Sequence, residues 1–172
     1  MKTMNSAIPK VLFLCTGNSA RSIMAEALLR HWGKDRFSAY SAGSKPGGKV
    51  NPRALEILAR NHFNTEGLRS KSLEEFEGDN APIMDFVFTV CDQAANEVCP
   101  LWLGQSISAH WPLADPDRPD LSEEEQALLF QKTLHELQQR IRKFVGLPFD
   151  KLDKLSLTKK LDDIGRSFPD TS

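Results

Sequence analysis

Short, fully apolar runs alternate along the chain with amphipathic stretches. Val11-Leu12-Phe13-Leu14 is continuous and brief, which predicts a strand buried on both faces over residues 10–14. Polar residues then lead into Ile23-Met24-Ala25-Glu26-Ala27-Leu28-Leu29, where a helix is predicted over residues 22–32. Phe37-Ser38-Ala39-Tyr40-Ser41 reads as a second strand, and the Gly-, Pro- and Lys-rich residues 44–49 as a loop. Pro52 suits the first turn of a helix reaching about Asn61. Ser72-Leu73-Glu74-Glu75 has capping-box spacing and predicts a short helix, and residues 85–90 and 107–110 predict two further strands. A second capping box, Ser122 with Glu125, opens a long helix striped by Phe130, Leu134, Leu137, Ile141 and Phe144. Leucines at 152, 155, 157 and 161 predict a last amphipathic helix.

Strands alternating with helices predict an α/β fold, a three-layer sandwich with a four-stranded parallel sheet between helices. Ligands in such sheets bind beyond the carboxyl ends of the strands. Cys15 follows the first strand, Cys91 the third, and Asp115 lies just past the fourth, so all three are expected along one edge. The expected organisation is a polar lead over residues 1–9, one domain over 10–146 and a helical extension over 147–172.

Size and composition narrow the class of function. The 172 residues are 40% hydrophobic and 26% charged, ordinary for a globular domain with its own core. A net charge of −1 with scattered basic residues gives no field for nucleic acid. The run from Val11 to Cys15 is too short for a membrane span or an export signal, so a cytoplasmic protein is expected. Three cysteines, an odd number, argue against a structural disulfide framework and for catalytic or redox thiols. His31, His62, His110 and His135 lack metal-ligand spacing, so no metal is expected. No apolar stripe beyond the core demands a partner, which favours a monomer.

The chemistry concentrates in Cys15-Thr16-Gly17-Asn18-Ser19-Ala20-Arg21-Ser22, a loop between strand and helix. Backbone N–H groups at a helix N-terminus and the macrodipole favour an anion, and the planar fork of Arg21 can clamp two of its oxygens. The same field holds the Cys15 thiol well below its ordinary pKa, as a nucleophilic thiolate. Gly17 permits close backbone approach, and the Ser22 hydroxyl is placed to hydrogen-bond the sulfur. Asp115 precedes Pro116 in a turn-forming stretch and, taken by itself, reads as a turn residue. Asp117 and Asp120 read as turn or cap residues, and His110 and Trp111 as packing beneath this loop.

The ordered motifs Cys15-x5-Arg21-Ser22, Tyr40-Ser41-Ala42-Gly43, Thr89-Val90-Cys91-Asp92, Cys99-Pro100, His110-Trp111 and Asp115-Pro116 resemble the low-molecular-weight tyrosine phosphatase family. Within that family the chain is most similar to the arsenate reductases, over residues 10 to 145. The resemblance implies arsenate reduction without an organic cofactor. Cys15 would attack arsenate held by residues 16–22, that is Thr16, Gly17, Asn18, Ser19, Ala20, Arg21 and Ser22, while Asp115 protonates the departing oxygen. Cys91 would then attack Cys15 to release arsenite, and Cys99 would take over the disulfide. Reducing arsenate takes two electrons, which one dithiol supplies on becoming a disulfide. Spare thiols favour thioredoxin as the reductant, with glutathione and glutaredoxin as the alternative.

Cys91 and Cys99 are eight residues apart. That is about 12 Å along a helix, against the ~7 Å between Cα atoms that a disulfide tolerates. Residues 92–98 must therefore loop or unwind when the bridge forms, and a mobile redox segment is expected over 92–103. Some relatives bind potassium through positions matching Asn18, Glu26 and Ser41 plus an aspartate; Ser72 stands at the aspartate position here, which argues against that site. Two other readings compete: a phosphatase using Cys15, Arg21 and Asp115, and an oxyanion-binding module without turnover. The single tyrosine in the chain weakens the phosphatase reading, because such enzymes carry a tyrosine pair beside the acid. Phosphate and sulfate are expected to occupy the loop as arsenate analogues.

Overall fold

In the computed structural model, residues 8–77, 81–90 and 106–166 are described. Four parallel strands, β1 (Lys10–Cys15), β2 (Ser38–Gly43), β3 (Phe86–Thr89) and β4 (Ile107–His110), form one sheet in the order β2-β1-β3-β4. The helices are α1 (Arg21–Gly33), α2 (Pro52–Arg60), α3 (Glu123–Val145) and α4 (Lys154–Arg166). This is the layered α/β architecture expected from the alternation of elements. Cys91, Cys99 and the expected redox segment 92–103 lie outside the described residues.

Pleating sends alternate side chains of the central strands to opposite faces. Val11, Phe13, Phe86 and Phe88 enter the larger core, with apolar residues from all four helices. Leu12, Leu14 and Val87 face the other way, onto Ala42, Leu73, Phe76 and Met84. Trp111 is fully buried, stacked on Phe88 with ring centroids 4.0 Å apart, and its indole N–H donates to the Leu161 carbonyl of α4 at 3.0 Å. Trp111 thus packs as expected, but its polar partner comes from the C-terminal helix. Leu157, Leu161 and Ile164 of α4 share the larger core.

Element boundaries follow local chemistry. Asn51 caps α2 ahead of Pro52, and Ser122 with Glu125 forms the full capping box of α3. The expected helix at Ser72 is instead a single 3₁₀ turn, Leu73–Phe76. Ser72 Oγ accepts from the Glu74 N–H at 3.1 Å, but the Glu75 carboxylate pairs with both nitrogens of the Arg69 fork at 2.7 and 3.0 Å. Drawn to a bidentate cation, Glu75 does not close the box. β2 runs on to Gly43, past the expected Ser41, because Gly43 continues the β1 ladder opposite Cys15.

Candidate active site

β1 ends at Cys15, which is 4% exposed, and the chain turns through residues 16–20 before entering α1. α1 has no side-chain cap at Ala20, unlike the capped α2 and α3, and no acidic residue in its first turn, unlike α3. Its first N–H groups are therefore left for an external acceptor.

The loop carbonyls are held outward. Thr16 O accepts from Lys45 N at 2.9 Å, Gly17 O from Gly47 N at 3.2 Å, Ser19 O from Asn51 N at 2.9 Å, and Ala20 O from Met24 N at 2.8 Å. A trans peptide is planar with its N–H antiparallel to its C=O. Each carbonyl turned away thus turns the next N–H, at Gly17, Asn18, Ala20 and Arg21, toward the concave side. The result is a nest of donors with Cys15 at one end.

Asn18 shapes the crest. It is fully buried at φ +47°, a left-handed conformation that asparagine tolerates better than most residues. Its amide donates to Ser22 Oγ and accepts from the Lys71 backbone N–H, both at 2.8 Å. Gly43 lies beneath: a Cβ there would come within 2.6 Å of Thr16 O and 2.9 Å of Asn18 Cβ. Only glycine allows β2 to approach the loop so closely.

The concave side opens into a cleft of about 470 Å³, lined by Cys15, Thr16, Gly17, Ser19, Ala20 and Arg21 on one wall. Leu113, Ala114, Asp115 and Asp117 line the other, with no aromatic side chain among them. Arg21 bridges the walls: Nη1 donates to Leu113 O at 2.9 Å, and Nη2 lies 3.7 Å from Asp115 Oδ2. Asp115 is a turn residue, Oδ1 accepting from Asp117 N at 3.0 Å in an Asx turn, and its Oδ2 lies on the cleft side toward Arg21.

Of the residues singled out from the sequence, Cys15, Thr16, Gly17, Ser19, Ala20, Arg21 and Asp115 meet at the cleft. The Asn18 and Ser22 side chains are buried behind it and bond each other, so Ser22 acts as a brace of the crest. Val90, the residue before Cys91, donates its N–H to Leu14 O at 2.9 Å, beside Cys15. Asn18, Glu26 and Ser41 do converge, and the ammonium of Lys71 lies against Glu26 and Ser41.

Sequence reasoning missed two supports. Gln126, 2% exposed in the first turn of α3, donates to Pro116 O and accepts from Arg118 N at 3.1 Å, pinning the Asp115 loop. Arg140 Nη1 donates to Pro112 O at 3.0 Å at the base of the same loop. Both sit on the stripe side of a long helix, where a polar residue among apolar neighbours is the available signal.

The sequence profile of the family described as low molecular weight phosphotyrosine protein phosphatase matches residues 10–160. An arsenate reductase of Shouchella clausii is 36% identical over 134 residues, 78% of this chain and 93% of its own length. A solved thioredoxin-dependent arsenate reductase of Corynebacterium glutamicum superposes with TM-score 0.61 at 29% identity, covering 81% of this chain but only 61% of that longer one. The solved arsenate reductase of Archaeoglobus fulgidus gives 0.64 at 28% identity, covering 80% of this chain and 99% of that one. Among the described residues, no helix is long and apolar enough to cross a membrane.

Proposed function

The chain belongs to the low molecular weight phosphotyrosine protein phosphatase family, and we propose that within it the protein is a cytoplasmic arsenate reductase serving arsenic detoxification. The observation that carries this reading is the cleft in which a buried cysteine, a nest of backbone donors, Arg21 and Asp115 converge, with no aromatic side chain among the described residues that line it. A small inorganic oxyanion suits the donors of the loop, whereas an aryl ester finds no ring to stack on among the described lining residues.

In the proposed reaction the Cys15 thiolate attacks arsenic in arsenate. The loop N–H groups and the Arg21 fork hold the other oxygens, and Asp115 gives its proton to the departing oxygen, which leaves as water. Cys91 then attacks the Cys15 sulfur. The electron pair of the sulfur–arsenic bond stays on arsenic, releasing arsenite and forming a Cys15–Cys91 disulfide. Attack by Cys99 on Cys91 moves the bridge to Cys91–Cys99 and returns Cys15 as a thiol. Thioredoxin reduces the final disulfide in this reading; glutathione with glutaredoxin is the alternative reductant. The relationship to a thioredoxin-dependent arsenate reductase and to other arsenate reductases supports the reaction and its reductant, and the Val90–Leu14 bond brings the chain beside Cys15 one residue before Cys91.

The test is a thiol count on fully reduced protein before and after anaerobic arsenate, without external reductant, with the bridge mapped by peptide mass. Loss of two thiols into a Cys91–Cys99 disulfide is expected. Retention of all three, with turnover of a phosphomonoester, would leave the phosphatase reading.

A further inference from the structure

Behind the anion loop, on the side away from the cleft, lies a buried ion pair with no part in the reaction above. Lys71 is 8% exposed and Glu26 is 5% exposed. The Lys71 ammonium lies 3.6 Å from Glu26 Oε1 and donates to Ser41 Oγ at 3.3 Å and to Arg69 O at 2.9 Å. Ser41 Oγ in turn donates to Glu26 Oε1 at 2.6 Å, and Arg30 donates to the other carboxylate oxygen at 2.7 Å.

The backbone of the same residue reaches the loop. Lys71 N–H donates to Asn18 Oδ1, and Lys71 O accepts from Gly43 N at 3.0 Å. One residue thus ties the loop crest to the end of β2, while its side chain bolts that strut to α1 through Glu26 and to β2 through Ser41. Burying an ion pair costs free energy, and apolar side chains of similar volume in place of both Lys71 and Glu26 would often be as stable or more so. Stability alone therefore does not account for a lysine here. What the charge supplies is a fixed position for residue 71 and, beside Arg30, a second counter-charge for the Glu26 carboxylate behind a loop built for anions.

We propose that Lys71 is a positioning residue of the anion loop: its ammonium, clamped by Glu26 and Ser41, holds the Asn18 crest in the left-handed conformation that turns the loop N–H groups inward. The proposal rests on the loop being an oxyanion site. It places no catalytic role on Lys71, which touches neither the cleft nor Cys15 in any bond described above.

The experiment compares wild type, Lys71→Met, Asn18→Ala, the double variant and the milder Ser41→Ala. Arsenate and phosphate affinities are read as protection of Cys15 from alkylation, followed by the mass of its peptide, with thermal melting measured alongside. Lys71→Met is expected to weaken both anions by about tenfold or more, and, because it leaves the buried Glu26 carboxylate with Arg30 as its counter-charge, to lower the melting temperature as well. In the double variant the loss is expected to match the larger single loss, because both substitutions cut one strut. Ser41→Ala is expected to weaken binding by a few-fold. A folded Lys71→Met protein that binds both anions as wild type does overturns the proposal, as do independent, additive losses in the double variant. Should Lys71→Met not fold, unchanged anion binding by Ser41→Ala overturns it instead. If neither anion protects Cys15 in wild type, the oxyanion reading of the loop falls, and this proposal with it.

Discussion

Arg21 and Asp115 face each other across the cleft, with Nη2 and Oδ2 at 3.7 Å, while Nη1 of the same guanidinium donates to Leu113 O at 2.9 Å. The pair joins the two walls before any ligand arrives. Arg21 is 14% exposed and Asp115 55%, so the carboxylate sits at the mouth and the guanidinium inside. A tetrahedral anion on the loop would draw the guanidinium fork onto its oxygens and leave Asp115 over the oxygen facing solvent, where a general acid is needed.

The turn role of Asp115 and the acid role proposed for it separate by substitution. Asparagine can still accept the Asp117 N–H bond of the Asx turn but has no acidic proton to give, whereas alanine loses both. Asp115→Asn is expected to lower arsenate kcat by about 100-fold with KM within a few-fold of wild type. Asp115→Ala is expected to lose as much in kcat and to raise KM as well, because the loop carrying Leu113 relaxes. Steady-state kinetics of both variants check this.

Gly43 is where β2 comes closest to the anion loop. A methyl group there meets backbone at Thr16 O, 2.6 Å away, and at Asn18 N, 3.1 Å away, neither of which can swing aside as a side-chain tip would. Gly43→Ala is expected to destabilise the fold by about 1–3 kcal/mol. The displaced carbonyl of Thr16 also loses its bond from Lys45, so oxyanion affinity should fall too. Urea unfolding and anion protection of Cys15 read the two effects separately.

Much of this site is legible in the chain before folding. The apolar run ending at Cys15, the glycine two residues later and the helical stretch after Arg21 specify strand, loop and helix locally, and parallel topology brings Asp115 to the same edge. What the chain does not disclose is made by contacts distant in sequence. Lys71 stands 53 residues from Asn18, and nothing near it distinguishes it from a solvated lysine. The 3₁₀ turn at Leu73 has the same origin: the capping-box spacing is present, but Arg69 competes for Glu75. Ser22 was readable as a partner for the sulfur because sequence proximity is visible and the direction of the Asn18 side chain is not.

Gln126 secures the acid loop through two backbone bonds from a buried position in α3. Gln126→Leu keeps the volume and removes the amide, leaving Pro116 O and Arg118 N–H without it. A loss of about 1–3 kcal/mol in stability is expected. Since Asp115 is one residue from Pro116, kcat should fall more than anion affinity does, because Cys15 and the loop donors are untouched. Finding the reverse, lost affinity with kcat intact, would show that the acid loop does not depend on this tether.

Burial lowers the Lys71 pKa from its ordinary value, with Glu26 partly opposing that and Arg69 adding to it; Glu75 and Arg30 are the other charges around the pair. With the folded pKa below the unfolded one, the unfolded chain binds more protons in the interval between them, and stability rises with pH across it. Below the folded pKa the cost of the buried charge is present in full, and it disappears only as pH passes the unfolded value. The difference in unfolding free energy between wild type and Lys71→Met should therefore shift in favour of wild type as pH climbs toward the unfolded lysine pKa. A flat difference across alkaline pH would mean the ammonium is not carrying a desolvation cost.

The C-terminal helix is sealed onto the sheet at Gly165. A Cβ at this position would come within 2.6 Å of His110 O and 2.8 Å of Trp111 Cδ1, one a backbone atom at the end of β4 and the other an indole wedged against Phe88. Neither yields without moving the edge strand or the aromatic core, so Gly165→Ala should force α4 outward. Displacement would strip cover from Leu157, Leu161 and Ile164 and take the Leu161 carbonyl from the Trp111 indole N–H, leaving a fully buried donor without its acceptor. The expected loss is about 2–4 kcal/mol, combining overpacking with an orphaned polar group. Because Trp111 leads directly into Pro112 and Leu113, whose carbonyls Arg140 and Arg21 hold, the strain should also reach the cleft as a modest fall in kcat/KM. Urea unfolding followed by tryptophan fluorescence reads the stability term. An unchanged midpoint would mean that α4 is an appendage to this fold and not part of its core.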